Sequence, residues 1–184
     1  MKKNILALMM ALTFGFAAVS AHAQMDPMVS GAAMYPTKNI VENAMNSKDH
    51  TTLVAAVKAA GLVETLEGPG PFTVFAPTNE AFAALPAGAV DTLLKPENKA
   101  TLVKILTYHV VPGKVNSHDL KKMIKQGGGK AQLTTVQGGM LTATWKDGKF
   151  WLTDEKGGTA SITIPNVYQS NGVIHVVNAV LMPN

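Results

Sequence analysis

The stretch Phe72-Thr73-Val74-Phe75-Ala76-Pro77-Thr78-Asn79-Glu80-Ala81-Phe82 joins two elements of different kind within eleven residues. Just before it, Glu67-Gly68-Pro69-Gly70-Pro71 interrupts any regular backbone, because proline lacks an amide donor and glycine is free to leave helix and strand conformations. Phe72, Thr73, Val74 and Phe75 are β-branched or aromatic and predict a short strand, which Pro77 bounds. Thr78 then stands where its hydroxyl can accept a backbone N–H of a first helical turn, so a short helix is expected from Asn79.

Working outward from that junction, residues 39–45 and 51–66 read as helices. The second has Leu53, Val54, Val57 and Ala60 on one face and is weakened near its end by Gly61. On the other side, Pro96 suits the first turn of a helix that runs through Leu102, Val103, Ile105 and Leu106 to His109 before Pro112-Gly113 stops it. Asn116 or Ser117 caps a further helix to Ile124. After Gly127-Gly128-Gly129 the period changes to two, with strands expected at 132–136, Met140–Lys146, 150–153, 160–164 and 172–181. Helices come first and antiparallel strands last, without strand–helix–strand alternation. That order predicts an α+β fold, a β-sandwich or wedge with a layer of short α-helices against it.

Composition narrows the function classes. The 184 residues are 47% hydrophobic and contain no cysteine, which removes disulfides, thiolate zinc sites and cysteine nucleophiles while leaving enough apolar surface for one packed domain. Met1-Lys2-Lys3-Asn4, an apolar run over 5–19 and Ala21-His22-Ala23 form the basic start, core and small-x-small site of an export signal, so cleavage is expected before Gln24. The run is too short to span a bilayer, and the product is expected in the periplasm or outside the cell. Without Lys2 and Lys3, fourteen cations face twelve acids, and every cation is lysine. Scattered lysines without the bidentate fork of arginine argue against nucleic acid as partner. Residues 24–36 carry Met25, Met28 and Met34 among Pro27, Gly31 and Pro36 with no sustained period, so they are expected to form a flexible leader to a domain at 37–184.

Three segments carry a family resemblance. The stretch from Phe72 to Phe82 resembles the first conserved box of fasciclin-like domains, Tyr108-His109-Val110-Val111-Pro112-Gly113 resembles their central Tyr-His motif, and Ser170-Asn171-Gly172-Val173-Ile174-His175-Val176-Val177-Asn178-Ala179-Val180-Leu181-Met182-Pro183 resembles their C-terminal strand signature. The resemblance covers 37–184 and implies a secreted, non-enzymatic module for adhesion, matrix contact or host interaction, built as a β-wedge with helices. Its partner would be a cell-surface or matrix protein or glycan. The chain departs from the family at Asn178, where aspartate is common, and at 153–159, a polar stretch that relatives commonly shorten.

Candidate contact residues follow. Tyr108 and His109 carry an adhesion role by resemblance, yet His109 shares a helical stripe with Leu102, Ile105 and Leu106, which favours a buried, hydrogen-bonded ring. His175 sits in a strand apolar on both faces and reads as structural too. Asp147-Gly148 is the strongest hairpin turn in the chain, so Lys146 should pair with Lys149, Trp145 with Phe150, Thr144 with Trp151 and Ala143 with Leu152. Leu141, Ala143, Trp145, Phe150 and Leu152 then face the core. Trp151 lies opposite, either exposed as a platform for a partner or covered by a helix or by residues 153–159. Consecutive Ser117-His118-Asp119 cannot converge as a catalytic triad, Gly127-Gly128-Gly129-Lys130 lacks the spacing of a phosphate loop, and no catalytic residue, cofactor or histidine–carboxylate metal set is expected. Met25, Met28 and Met34 leave a second reading open, a periplasmic small-ligand or Cu(I)-handling protein, since thioethers are soft ligands.

Overall fold

Side-chain caps decide where the helices of the first half begin. In the structure, a computed structural model that describes residues 28–29 and 31–184, helix α1 (Ile40–Asn46) starts at a reciprocal cap. There Asn39 accepts from the Glu42 N–H and Glu42 accepts from the Asn39 N–H. The expected export signal at 1–23 and Met25 fall outside the described residues. A 3₁₀ turn, Lys48–His50, leads into α2 (Thr51–Ala60), and α3 (Val63–Glu67) follows. The single helix expected over 51–66 is therefore two. Gly61 takes the left-handed conformation at φ 72°, with the Gly61 N–H on the Lys58 carbonyl and the Leu62 N–H on the Val57 carbonyl, a terminating geometry that glycine adopts without steric cost.

Strand β3 (Phe72–Pro77) and helix α4 (Asn79–Ala83) meet at Thr78, whose hydroxyl accepts from the Ala81 N–H as expected. Then come α5 (Ala89–Leu93), which the sequence reading did not separate, α6 (Lys99–Tyr108), a short strand β4 (Val110–Pro112) and α7 (Ser117–Gln126). Asn116 caps α7 by accepting from the His118 and Asp119 N–H groups. Strands β5 (Lys130–Thr134), β6 (Met140–Lys146), β7 (Lys149–Thr153), β8 (Thr159–Gln169) and β9 (Gly172–Val177) complete the chain. β8 runs five residues beyond the expected end at 164. Register shifts around Ile164 and Asn166, the latter at φ 62°, let the strand pass Pro165.

The seven strands order as β4-β3-β9-β8-β7-β6-β5. Only antiparallel strands were expected, yet β3 and β9 are parallel, with Phe72 opposite Gly172 and Pro77 opposite Val177. The last strand inserts between β3 and β8, and all six of its residues are buried, which is why it reads as an unbroken apolar run. Alternate residues of β3 serve two cores. Val74 and Ala76 face one beneath α1, α2 and α6, while Phe75 faces the other, between α7 and strands β5–β8, with Leu120, Leu141, Leu152 and Leu181.

The packed body also begins earlier than Thr37. Met28–Val29 (β1) pairs with Ala32–Ala33 (β2), and Val29 and Met34 are 3% and 2% exposed within the first core. A ribbon of two residues per strand is too short to show a period, so this part of the presumed flexible leader was not legible as structure. The 153–159 segment is equally ordered. Asp154 accepts from the N–H groups of Lys156 and Gly158 through one oxygen and from Met182 through the other, tying the turn to the C-terminal tail.

Candidate functional site

Tyr108 and His109 end α6 and point inward. Tyr108 is 0% exposed; its hydroxyl donates to the Met140 carbonyl at 2.7 Å and accepts from the Glu155 N–H at 3.1 Å. Glu155 in turn accepts from the Met140 N–H at 2.9 Å, which closes a ring joining α6, β6 and the 153–159 turn. Burial pushes the phenol up to about 12, so it stays a donor. His109 donates from Nδ1 to the Ile105 carbonyl at 2.9 Å and accepts the Leu181 N–H on Nε2 at 3.0 Å, a pattern that fixes the neutral tautomer. Desolvation lowers its pKa to about 4, against the raising effect of the Ile105 carbonyl and Asp154. His175 repeats the arrangement on β9, donating to the Val115 carbonyl at 2.9 Å and accepting the Asn166 N–H at 3.3 Å. Neither Tyr108 nor His109 presents a surface to a partner; both hold elements together. Tyr108→Phe keeps the ring and strips both hydroxyl bonds, so unfolding by urea should show a loss of about 1–2 kcal/mol. An unchanged midpoint would mean that the hydroxyl contributes nothing to anchoring the turn.

The hairpin register is the expected one, pair for pair, from Lys146–Lys149 to Ala143–Leu152. Asp147 at φ 53° and Gly148 at φ 76° make the two-residue turn that matches the strand twist. Leu141, Ala143, Phe150 and Leu152 are buried as predicted, whereas the burial of the indoles departs from the simple alternation. Trp151, for which an exposed platform and a covered side chain were both open, is half-buried between Thr144 and Ser161 on the neighbouring strands, and its Nε1 is enclosed without a partner. Trp145 is 39% exposed although it shares a face with the core residues. Alternation assigned the face correctly and could not show how far the layer above it extends. Leu120 and Ile124 of α7 share the core with Leu141 and Ala143, whereas Trp145, next to the hairpin tip, meets Lys121, whose Nζ lies 4.4 Å from its ring centroid. Phe150 braces the indole edge-on, with centroids 4.4 Å apart.

Six exposed lysines gather at this end of the sheet: Lys121, Lys122 and Lys125 on α7, Lys130 at the start of β5, and Lys146 and Lys149 flanking the tip. Two acids, Asp147 at the tip and Asp119 one turn before Lys122 on α7, stand among them, whereas the other described residues carry eight lysines and nine acids. The nearly neutral chain is thus polarised, with a cationic aromatic end and a slightly acidic body.

Other candidates resolve differently. Ser117 Oγ accepts from the Asn166 side chain at 2.6 Å and serves the α7 N-terminus. Asn178 holds the Ser161 N–H on its side-chain oxygen at 2.7 Å, so the amide performs the acceptor role that an aspartate would. Of the leader methionines, Met28 is exposed and Met34 is packed in the core, so Met34 is not available to a shared copper site. Among the described residues no group of three His, Asp or Glu side chains converges as a metal site. The helix-side core holds an apolar cavity of about 50 Å³, lined by Met34, Ile40, Leu53, Val57, Val74 and Ile174 among others. Small-molecule sites are commonly about 300 Å³ or larger.

This architecture has known counterparts. A FAS1 domain pair from the insect cell adhesion molecule Fasciclin I superposes with a TM-score of 0.71 at 17% identity, over 79% of this chain and 51% of that one. Protein sll1483 of Synechocystis sp. is 50% identical over 156 residues, which cover 85% of this chain and 79% of that protein. Transforming growth factor-beta-induced protein ig-h3 of Sus scrofa is 36% identical over 148 residues, 80% of this chain but only 20% of that much longer protein. Residues 48–183 match the fasciclin domain as a family, and the chain therefore belongs to the fasciclin domain family.

Proposed function

We propose that the protein is an exported, non-enzymatic interaction module that holds a cell-envelope or matrix partner through the Trp145 end of its sheet. The observation that carries this is the exposed, braced indole set among six lysines on an otherwise balanced surface. Residues at the tip of a rigid hairpin on a packed sheet lose little freedom on binding, and a large aromatic there is the kind of group that dominates interface energetics. The rest of the family motif serves the fold, since Tyr108, His109 and His175 are occupied internally. The presence of a cell adhesion molecule among its structural counterparts agrees with the reading. The basic start, apolar run and Ala21-His22-Ala23 support export, and intact-mass analysis of protein recovered from outside the cytoplasm should give a chain beginning at Gln24; a mass that still includes Met1 would contradict export.

The direct test is sedimentation of the purified mature protein with isolated cell envelopes and with spent-medium matrix. Trp145→Ala should weaken that association by about 2 kcal/mol, roughly thirtyfold, with an unchanged circular dichroism spectrum. Association that is absent in the wild type, or equal in Trp145→Ala, would overturn the assignment.

A further inference from the structure

We infer that the Trp145 end binds an acidic polysaccharide, a chain of sugar rings bearing carboxylate or sulfate groups, with a ring against Trp145 and the lysines along its charges. This rests on the reading above that this end is the contact face.

Lys146 and Lys149 stand directly opposite across the hairpin, and Lys130 pairs with Thr144, whose side chain lies on the same face as that of Lys146 two residues on. On that outer face Lys146 and Lys149 are direct neighbours at about 4.8 Å, and Lys130 on β5 lies diagonally from Lys146 at about 7–8 Å. On the opposite side of the sheet α7 supplies Lys121 and Lys125 one helical turn apart, about 5.4 Å along its axis. Trp145 projects on the α7 side, with Lys121 over its ring, while the strand lysines stand on the other face of the same hairpin end. Positive charge on both faces of that end, with an apolar ring on one of them, suits a linear polyanion that passes over the end, whose charges recur along its length and whose ring faces are apolar.

Energetics point the same way. Like charges directly opposite on a hairpin destabilise it, so the Lys146–Lys149 pair costs the fold stability that the Lys121–Trp145 contact does not address. A bound polyanion relieves that repulsion. The chain uses lysine alone, a compact point charge suited to single anionic groups spaced along a polymer, where arginine would suit bidentate grips on phosphate. The tip itself is Lys146-Asp147-Gly148-Lys149, with no apolar residue beyond Trp145, which leaves nothing to insert into the acyl region of a bilayer.

The test uses the mature protein in affinity electrophoresis and calorimetry with polygalacturonate and dextran sulfate, with neutral dextran and anionic phosphatidylglycerol vesicles as comparators. Binding to the two charged polymers is expected to weaken by about tenfold or more as salt rises from about 50 to about 200 mM, because counterions are displaced from the polymer. The triple variant Lys122→Glu, Lys125→Glu, Lys130→Glu changes only exposed side chains and should abolish binding. Lys48→Glu with Lys95→Glu, exposed lysines of the helical layer, should leave it within about twofold. Trp145→Ala should lower affinity by about thirtyfold at constant salt. Equal binding by the triple variant and the wild type, equal binding to neutral dextran, or binding to vesicles alone would each overturn the inference. If envelope association depends on Trp145 while both charged polymers fail to bind, the ligand class is wrong and the contact face stands. If envelope association is itself indifferent to Trp145, the face is wrong.

Discussion

Asn171→Ala is expected to cost the fold about 3–5 kcal/mol. The Asn171 side chain sits at the β8–β9 turn, buried, and satisfies three backbone groups from two other segments: its oxygen accepts the Ile40 N–H at 3.0 Å, and its amide donates to the carbonyls of Leu66 at 2.7 Å and Gly68 at 2.9 Å. It thereby locks the start of α1 and the end of α3 onto the strand pair that carries the parallel β3–β9 contact, while its backbone carbonyl accepts the Phe72 N–H. Truncation leaves these groups buried and unpaired at about 1–3 kcal/mol each, partly offset where water reaches Gly68. Thermal unfolding should shift by about 10 °C or more for a domain of this size. Asn171→Asp keeps the acceptor, loses both donations and buries a charge, so it should be as damaging as alanine. A loss below about 1 kcal/mol in both variants would show that the turn is not a junction.

The second large effect is on acidification. His109 has a folded pKa of about 4 against an ordinary 6.5, and burial lowers those of His50 and His175 as well. In each case the unfolded chain takes up the proton first, so between the two pKa values the unfolded state binds more protons and stability rises with pH. The contribution is complete above about pH 6.5 and is lost as pH falls toward 4. For His109 alone the difference corresponds to about 3 kcal/mol. Urea midpoints measured from about pH 7.5 down to about pH 4.5 should fall steadily, and His109→Gln, less stable at neutral pH, should show a shallower slope. Glu155 is held below its ordinary 4.5 by the Met140 and Asn184 N–H groups, so its effect enters only at lower pH and does not mimic the histidine window. Midpoints that stay level from pH 7.5 to 4.5 would contradict the neutral, hydrogen-bonded histidines.

How much of this was legible in the sequence depended on whether the deciding force was local. The Thr78 cap, the α7 cap and the Asp147-Gly148 hairpin all follow from chemistry within four residues; the first and last were placed to the residue and the α7 cap to one of two neighbours, Asn116 or Ser117. Gly61 was noticed as a weakness and proved to be a stop, because a left-handed glycine ends a helix when the following residue can close the cap. The parallel β3–β9 pair joins segments a hundred residues apart, and no local period announces such a partner. The two tryptophans show the same limit: period two sorted them onto opposite faces, whereas how far each face is covered near the hairpin tip is set by elements distant in the chain. The cluster of lysines was hidden because Lys121 and Lys149 are distant in the chain and come to the same end of the sheet only after α7 folds over β5 and β6.

In an amide and indole NMR titration of residues 24–184 with polygalacturonate oligomers, shifts should concentrate in residues 121–130 and 143–150, the Trp145 indole N–H should move, and the enclosed Trp151 indole N–H should not. Shifts centred on residues 153–159 or on the helices of the other core, with the Trp145 signal still, would contradict the Trp145 contact face.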